Sequence, residues 1–216
     1  MASKSEREYR AMTVTIATPE ERAEGEESYI VEGYASTFDE PYKLYSDDEV
    51  EVWEKVAPTA FDEADLSDVI MQYDHQGRVF ARIKNNTLAL STDEVGLFTR
   101  ADLGGTDLGR GLYQEIAGGY TDKMSYGFTV AEDSREIDRS STEKTKIVRT
   151  IIKVAKVYDV SAVSLPANPG TSISARFLDG AIEDARAERL KALELEEKRK
   201  RLEVRAKALK GVSIND

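Results

Sequence analysis

Three side chains in this sequence have the types that acyl transfer requires: Ser125, His75 and Asp159. Ser125 stands in Lys123-Met-Ser-Tyr-Gly-Phe128, a stretch that otherwise reads as an ordinary strand. By itself the hexapeptide leaves two readings open, a small polar filler and a nucleophile presented from a sheet. A neutral serine hydroxyl needs a base to take its proton, and imidazole titrates near neutral pH. His75 is the single histidine of the chain, placed where the apolar run Val69–Tyr73 gives way to a turn, "DHQG". With no cysteine and one histidine, the hydrolytic choices are a Ser–His pair, a Ser–Lys pair or a pair of carboxylates.

A histidine base works best when a third group holds its ring and stabilises its charged form. Asp159 lies in "VYDVSAVS", a carboxylate inside an apolar strand, where burial is costly without partners. Asp74 competes for the role because it adjoins His75, but neighbours on a strand point to opposite faces, which favours Asp159. The plain alternative for Asp159 is an edge-strand acid facing solvent. Acyl transfer also needs backbone N–H donors for the oxyanion, and these are not legible from residue types.

Composition narrows the setting. The chain has 216 residues, which suggests one domain plus an appendage or two very small domains, and 40% of them are hydrophobic, enough for a real core. The absence of cysteine removes disulfides and thiolate metal sites, and one histidine argues further against zinc; no cofactor is expected. A net charge of −11 argues against direct nucleic-acid binding. No apolar run reaches the roughly 18 residues of a membrane span, so no membrane partner is expected. The charged start MASKSEREYRAM has no apolar signal core, which points to a cytosolic setting. Neither Gly104-Gly105 nor Gly118-Gly119 belongs to a phosphate-binding fingerprint.

Patterning indicates the elements that must position these residues. Residues 1–27 read as a polar N-terminal segment, poorly ordered apart from a strand over Met12–Ala17. Strands are predicted over Ser28–Phe38, Glu49–Val56, Val69–Tyr73, Val79–Ile83, Thr87–Ser91, Gly96–Leu103 and Asp122–Val130. Asn85-Asn86 reads as a hairpin turn, and Pro58 as the start of a short helix to Asp65. Thr106 caps a helix with Leu108, Leu112 and Ile116 on one face, ended by Gly118-Gly119. Ala131–Thr145 reads as a charged connection, Lys146–Ser164 as two strands or one bent strand, and Pro166–Gly170 as a turn. From Leu178 the chain becomes a long charged helix, in which Asp179–Lys210 holds ten Lys/Arg against eight Asp/Glu. Leu195, Leu202 and Leu209 are spaced by seven, a thin coiled-coil row. The predicted class is α+β, a mostly antiparallel small β-barrel with peripheral helices and a long C-terminal helix.

The ordered set "VEGYASTFDE", "EVWEKVAPTAF", "VIMQYDHQG", "GLFTRADL", "IAGGYTDKMSYGF" and "VYDVSAVSLPANP" resembles the prohead (capsid maturation) proteases of tailed bacteriophages. The resemblance runs from about Ile30 to Ala175. It implies a serine endopeptidase of herpesvirus assemblin-like fold over residues 28–177; the charged helical tail over 178–216 is read from composition and lies beyond the resemblance. It implies action on a phage scaffold or on the scaffold-like part of the major capsid protein, inside the immature procapsid in the host bacterial cytoplasm, with self-cleavage and a possible homodimer. The family's base falls on His75, its nucleophile on Ser125, and the acid before Val-Ser on Asp159. Four departures stand out. Gln76 replaces a frequent Asp, Pro58-Thr-Ala-Phe61 replaces Pro-Gly-Ala-Phe, and Asp159 replaces a frequent Glu, while the second histidine of assemblin-type enzymes has no counterpart here. The alternative from another class is a catalytically silent scaffolding protein on a protease-like domain.

Overall fold

The structure is a computed structural model and describes residues 7–12, 28–138, 144–164 and 175–211. Its centre is a long antiparallel pair, β9 (Lys123–Asp138) and β10 (Thr145–Val163). β10 is rich in β-branched residues and β9 carries the aromatic pair Tyr126 and Phe128; Met124–Thr129 and Asp159–Val163 are buried on both faces. One edge of β10 carries two short strands in line. β4 (Val50–Val56) pairs parallel with Thr145–Ile151, and β5 (Ile70–Tyr73) pairs parallel with Asp159–Ala162. β3 (Tyr42–Ser46) extends the sheet beyond β4, β6 (Gln76–Arg82) beyond β5, and β1 (Glu8–Met12) closes the far edge on β9.

A second sheet of three antiparallel strands runs in the order β2 (Ile30–Thr37), β8 (Gly96–Asp102), β7 (Leu88–Thr92). The main core lies between the two sheets. Val31, Ala35, Leu97 and Ala101 from the small sheet meet Met71, Met124, Tyr126, Phe128 and Val160 from the large one. Helix α1 (Asp107–Ala117) adds Leu112, Tyr113 and Ile116 to it. Thr106 caps this helix, its Oγ1 accepting from the Gly109 N–H at 3.0 Å. A smaller cluster of Leu44, Val50, Val52 and Ile147 is covered by Ile182 from α2 (Ala175–Gly211). Beyond that anchor the helix exposes Leu190, Leu193, Leu195, Leu202 and Val204.

The α+β class and the long C-terminal helix match expectation, but the strand pairing among the described residues is open and closes no barrel. β4 and β5 both stay in the large sheet, side by side along one edge of β10, while β2, β8 and β7 pair only with one another. Several local readings also differ. Pro58 opens a run of turns closed by i to i+3 bonds (Ala60 to Ala57, Asp62 to Thr59, Ala64 to Phe61), not a helix. Asn86 takes a left-handed conformation after a 3-10 turn at Ile83–Asn85, but β6 and β7 lie in different sheets and form no hairpin. Residues Ala131–Asp138 continue β9 as an exposed arm paired with β10 instead of forming a connection. Leu108 is exposed, unlike Leu112 and Ile116. The N-terminal strand covers Glu8–Met12, and the predicted Thr13–Ala17 and the Pro166–Gly170 turn lie outside the described residues.

Candidate active site

His75 is delivered by a two-residue hairpin. Tyr73 pairs with Gln76, leaving Asp74 and His75 as the loop between β5 and β6. Both adopt positive φ, 47° and 58°. Two-residue loops with both central residues left-handed match the strand twist; Asp tolerates that conformation, but for His75 it is unfavourable. The loop is tied to β10: the Asp74 N–H donates to the Ala162 carbonyl at 3.0 Å, and the His75 N–H to Ser161 Oγ at 3.2 Å. Asp74 itself stays out of the site, its carboxylate accepting from the Ser164 N–H at 3.4 Å.

The two central strands supply the remaining groups. Ser125 pairs with Ser161, and Gly127 with Asp159. In β10 the register shifts between Val157 and Asp159, so Tyr158 is an extra residue. Such a bulge re-aims the side chains beyond it. Here it sets Asp159 and Ser161, two residues apart, on the same face as Ser125. Gly127 is required in that arrangement. A Cβ there would lie 2.4 Å from Asp159 Oδ2 and 2.8 Å from the Tyr9 ring.

These placements make a continuous hydrogen-bonded line. His75 Nε2 lies 2.5 Å from Ser125 Oγ, and His75 Nδ1 lies 2.5 Å from Asp159 Oδ1. Ser161 Oγ donates to the same Asp159 oxygen at 3.1 Å. Asp159 Oδ2 is buried without a hydrogen bond, and the Arg7 guanidinium, stacked on Tyr158, stands 3.9 Å from it. Ser125 and Asp159 are buried, and His75 keeps about a seventh of its side-chain surface accessible. With Nδ1–H donating to the carboxylate, Nε2 carries the lone pair that faces the serine hydroxyl.

The neighbouring strand β1 covers this line. Ala11 pairs with Ser125 and Tyr9 with Gly127. The Tyr9 ring packs 4.5 Å from the imidazole, centroid to centroid. The Arg10 carbonyl is 2.8 Å from Ser125 Oγ, so the serine hydroxyl has two acceptors, this carbonyl and His75 Nε2. One proton serves one of them at a time.

On the other face of β1, charged groups are buried together. Arg10 donates to both Glu54 oxygens, Nε at 2.6 Å and Nη2 at 3.0 Å, and also to Glu8. Arg149 donates to Glu8, Glu54 and Asp133. Tyr42 O–H donates to Glu54. Burial opposes ionisation of Glu54, but Arg10 and Arg149 with the Tyr42 hydroxyl outweigh it and hold its carboxyl below the ordinary value. Burial also raises the Tyr42 phenol, as does the Glu54 charge, so it acts as a donor.

All three residues singled out in the sequence therefore meet. The profile of the caudovirus prohead serine proteases matches residues 15–184. The chain belongs to that family. Searches of the curated proteins and of the solved structures returned no match. In this family member the sequence reading missed Ser161, Gly127, Tyr9 and the Arg10–Glu54 pair. Ser161 was reachable by period-two spacing from Asp159. Arg10 and Glu54, 44 residues apart, had no sequence signal that joins them.

Proposed function

We propose that this prohead protease family member is a serine endopeptidase that cleaves scaffold, or scaffold-like segments of the major capsid protein, inside the immature procapsid of a tailed phage, and that it also cleaves itself. The observation that carries the reading is the unbroken line Ser125–His75–Asp159 in a chain of this family. Ser125 is the nucleophile. His75 Nε2 takes its proton as Oγ bonds to the scissile carbonyl, then gives that proton to the leaving amine. Asp159 keeps the imidazole in the tautomer that leaves Nε2 open and stabilises the imidazolium once formed. Water then repeats the sequence to release the acyl group.

The test mixes wild-type and Ser125→Ala protein with the scaffold and capsid proteins of the same phage and tracks processing by mass spectrometry. The expected outcome is processing by wild type alone. Equal processing by both proteins would overturn the reading. A catalytically silent scaffolding role predicts instead that neither processes anything and that wild type takes no fluorophosphonate label.

A further inference from the structure

The strand β1 has the properties of an occupant more than of a structural edge. It lies outside the residues matched to the family, yet it pairs along β9 over Met124–Phe128, the stretch that carries Ser125. Without it that stretch of β9 is an open edge, ready to accept an extended peptide by strand addition. The Arg10 carbonyl oxygen accepts the hydroxyl of Ser125 at 2.8 Å, which sets this peptide group beside the nucleophile. The Arg10 side chain is buried against Glu54, whose two oxygens it meets through Nε and Nη2. Two residues earlier, on the same face, Glu8 takes two bonds from Arg149, at 2.7 and 3.1 Å. Glu54 and Arg149 both belong to the central sheet, and β1 supplies the opposite charge to each.

We propose that the β9 edge beside Ser125 is the peptide-binding cleft, that β1 lies in it as a substrate strand does, and that the cleft selects Glu-x-Arg immediately before the scissile bond. The inference rests on Ser125 being the nucleophile. A planar guanidinium matches a carboxylate bidentately, and truncating one partner of such a buried pair leaves the other charge uncompensated. The bond that β1 presents is Arg10–Ala11. In cleavage the Oγ–carbonyl bond forms, the carbonyl–nitrogen bond breaks, and the serine proton passes through His75 to the departing amine. Water then frees the arginine carboxylate. In the resting arrangement the Arg10 carbonyl oxygen competes with Nε2 for the serine proton, so β1 also restrains the site until it shifts or is replaced. The pattern recurs within the chain as Glu20-Glu-Arg22, Glu197-Lys-Arg199 and Glu203-Val-Arg205, the last two on the exposed part of α2, and in the first and third of these Ala follows the Arg as it does at Arg10.

The experiment digests a mixed peptide library with the full chain and with its Ser125→Ala variant, and reads cut sites by mass spectrometry. Cuts that need Ser125 and fall after Arg, with Glu two residues before it, are expected. Ser125-dependent cuts with no preference for a basic residue would overturn the inference and leave the protease reading standing. No Ser125-dependent cut at all would remove both. A synthetic peptide of residues 5–14 gives a second measurement free of folding effects. Replacing its Arg10 or its Glu8 by Ala should lower kcat/KM on the order of a hundredfold, and unchanged values would overturn the proposed selectivity.

Discussion

Gly127 and Asp159 face each other across the central pair of strands, and a Cβ on Gly127 would sit 2.4 Å from Asp159 Oδ2. The small residue in "SYGF" is therefore what lets the carboxylate approach His75. Gly127→Ala should push Asp159 off the imidazole and Tyr9 off its seat. Overpacking of this kind costs about 1–3 kcal/mol in stability. The larger effect should be on turnover, about a hundredfold or more, moving toward the roughly 10⁴-fold loss seen when a triad acid can no longer fix the tautomer. Measuring kcat and thermal stability for Gly127→Ala beside Asp159→Asn separates the two effects. A Gly127→Ala enzyme of wild-type kcat would show that the close approach is incidental.

Ser161 acts through its neighbours. Its hydroxyl donates to Asp159 Oδ1 and accepts from the His75 N–H, so it holds both members of the pair at once. Ser161→Ala should lower kcat about tenfold, leaving KM unchanged, because no substrate contact is lost while a hydrogen bond to a charged group is. Ser161→Thr keeps the hydroxyl and should restore most of the rate. If Ala and Thr variants behave alike, the hydroxyl has no positioning role.

The Asp74-His75 loop holds two consecutive non-glycine residues in the left-handed region. The cost is about 1–2 kcal/mol for a residue such as His75 and smaller for Asp74, whose short polar side chain tolerates this region. Position 74 lies outside the hydrogen-bonded line. Asp74→Gly should therefore raise stability by up to about 1 kcal/mol, a gain of about 2–4 °C in Tm for a chain this size, with the cleavage rate retained. A lower Tm would mean that the Ser164 contact outweighs the backbone cost.

Ser125, His75 and Asp159 were legible as a group because what singles out each of them is local. One histidine at a strand end, a serine on a strand and a carboxylate in an apolar run are visible one residue at a time. The same holds for β2, β4, β5, β8 and the Thr106-capped helix, whose periodicity or caps are strong. Closure of the sheets was not legible, since whether β10 pairs with one long strand or with β4 and β5 in line depends on contacts between residues far apart in the chain, such as Thr145 with Val50 and Asp159 with Ile70. The strand Glu8–Met12 was hidden for a different reason. Glu8 and Arg10 look like a solvated terminus by composition, and only Glu54 and Arg149, far along the chain, make their burial favourable. The exposed arm of β9 was hidden likewise, because its charged residues form a strand only through pairing with β10.

Acid should loosen β1 before it loosens the rest of the sheet. The Glu54 carboxyl is held below its ordinary value by Arg10, Arg149 and Tyr42 against the opposing effect of burial. A carboxyl depressed in the folded state contributes stability that is complete above its unfolded value, about 4.3, and is lost as pH falls through the lower folded value. Once Glu54 is protonated, Arg10 loses its bidentate partner while still buried, and the guanidinium is drawn back to water. Native-state hydrogen exchange, corrected for intrinsic rates, should show protection of the β1 amides constant from pH 7 to about 5 and falling below about 4. The β9–β10 amides should hold their protection over the same range. Because β1 covers Ser125, brief acid exposure should also increase fluorophosphonate labelling measured immediately after return to neutral pH. Parallel loss of protection in β1 and in the central strands would show that Glu54 supports the whole sheet instead of the docking of this strand.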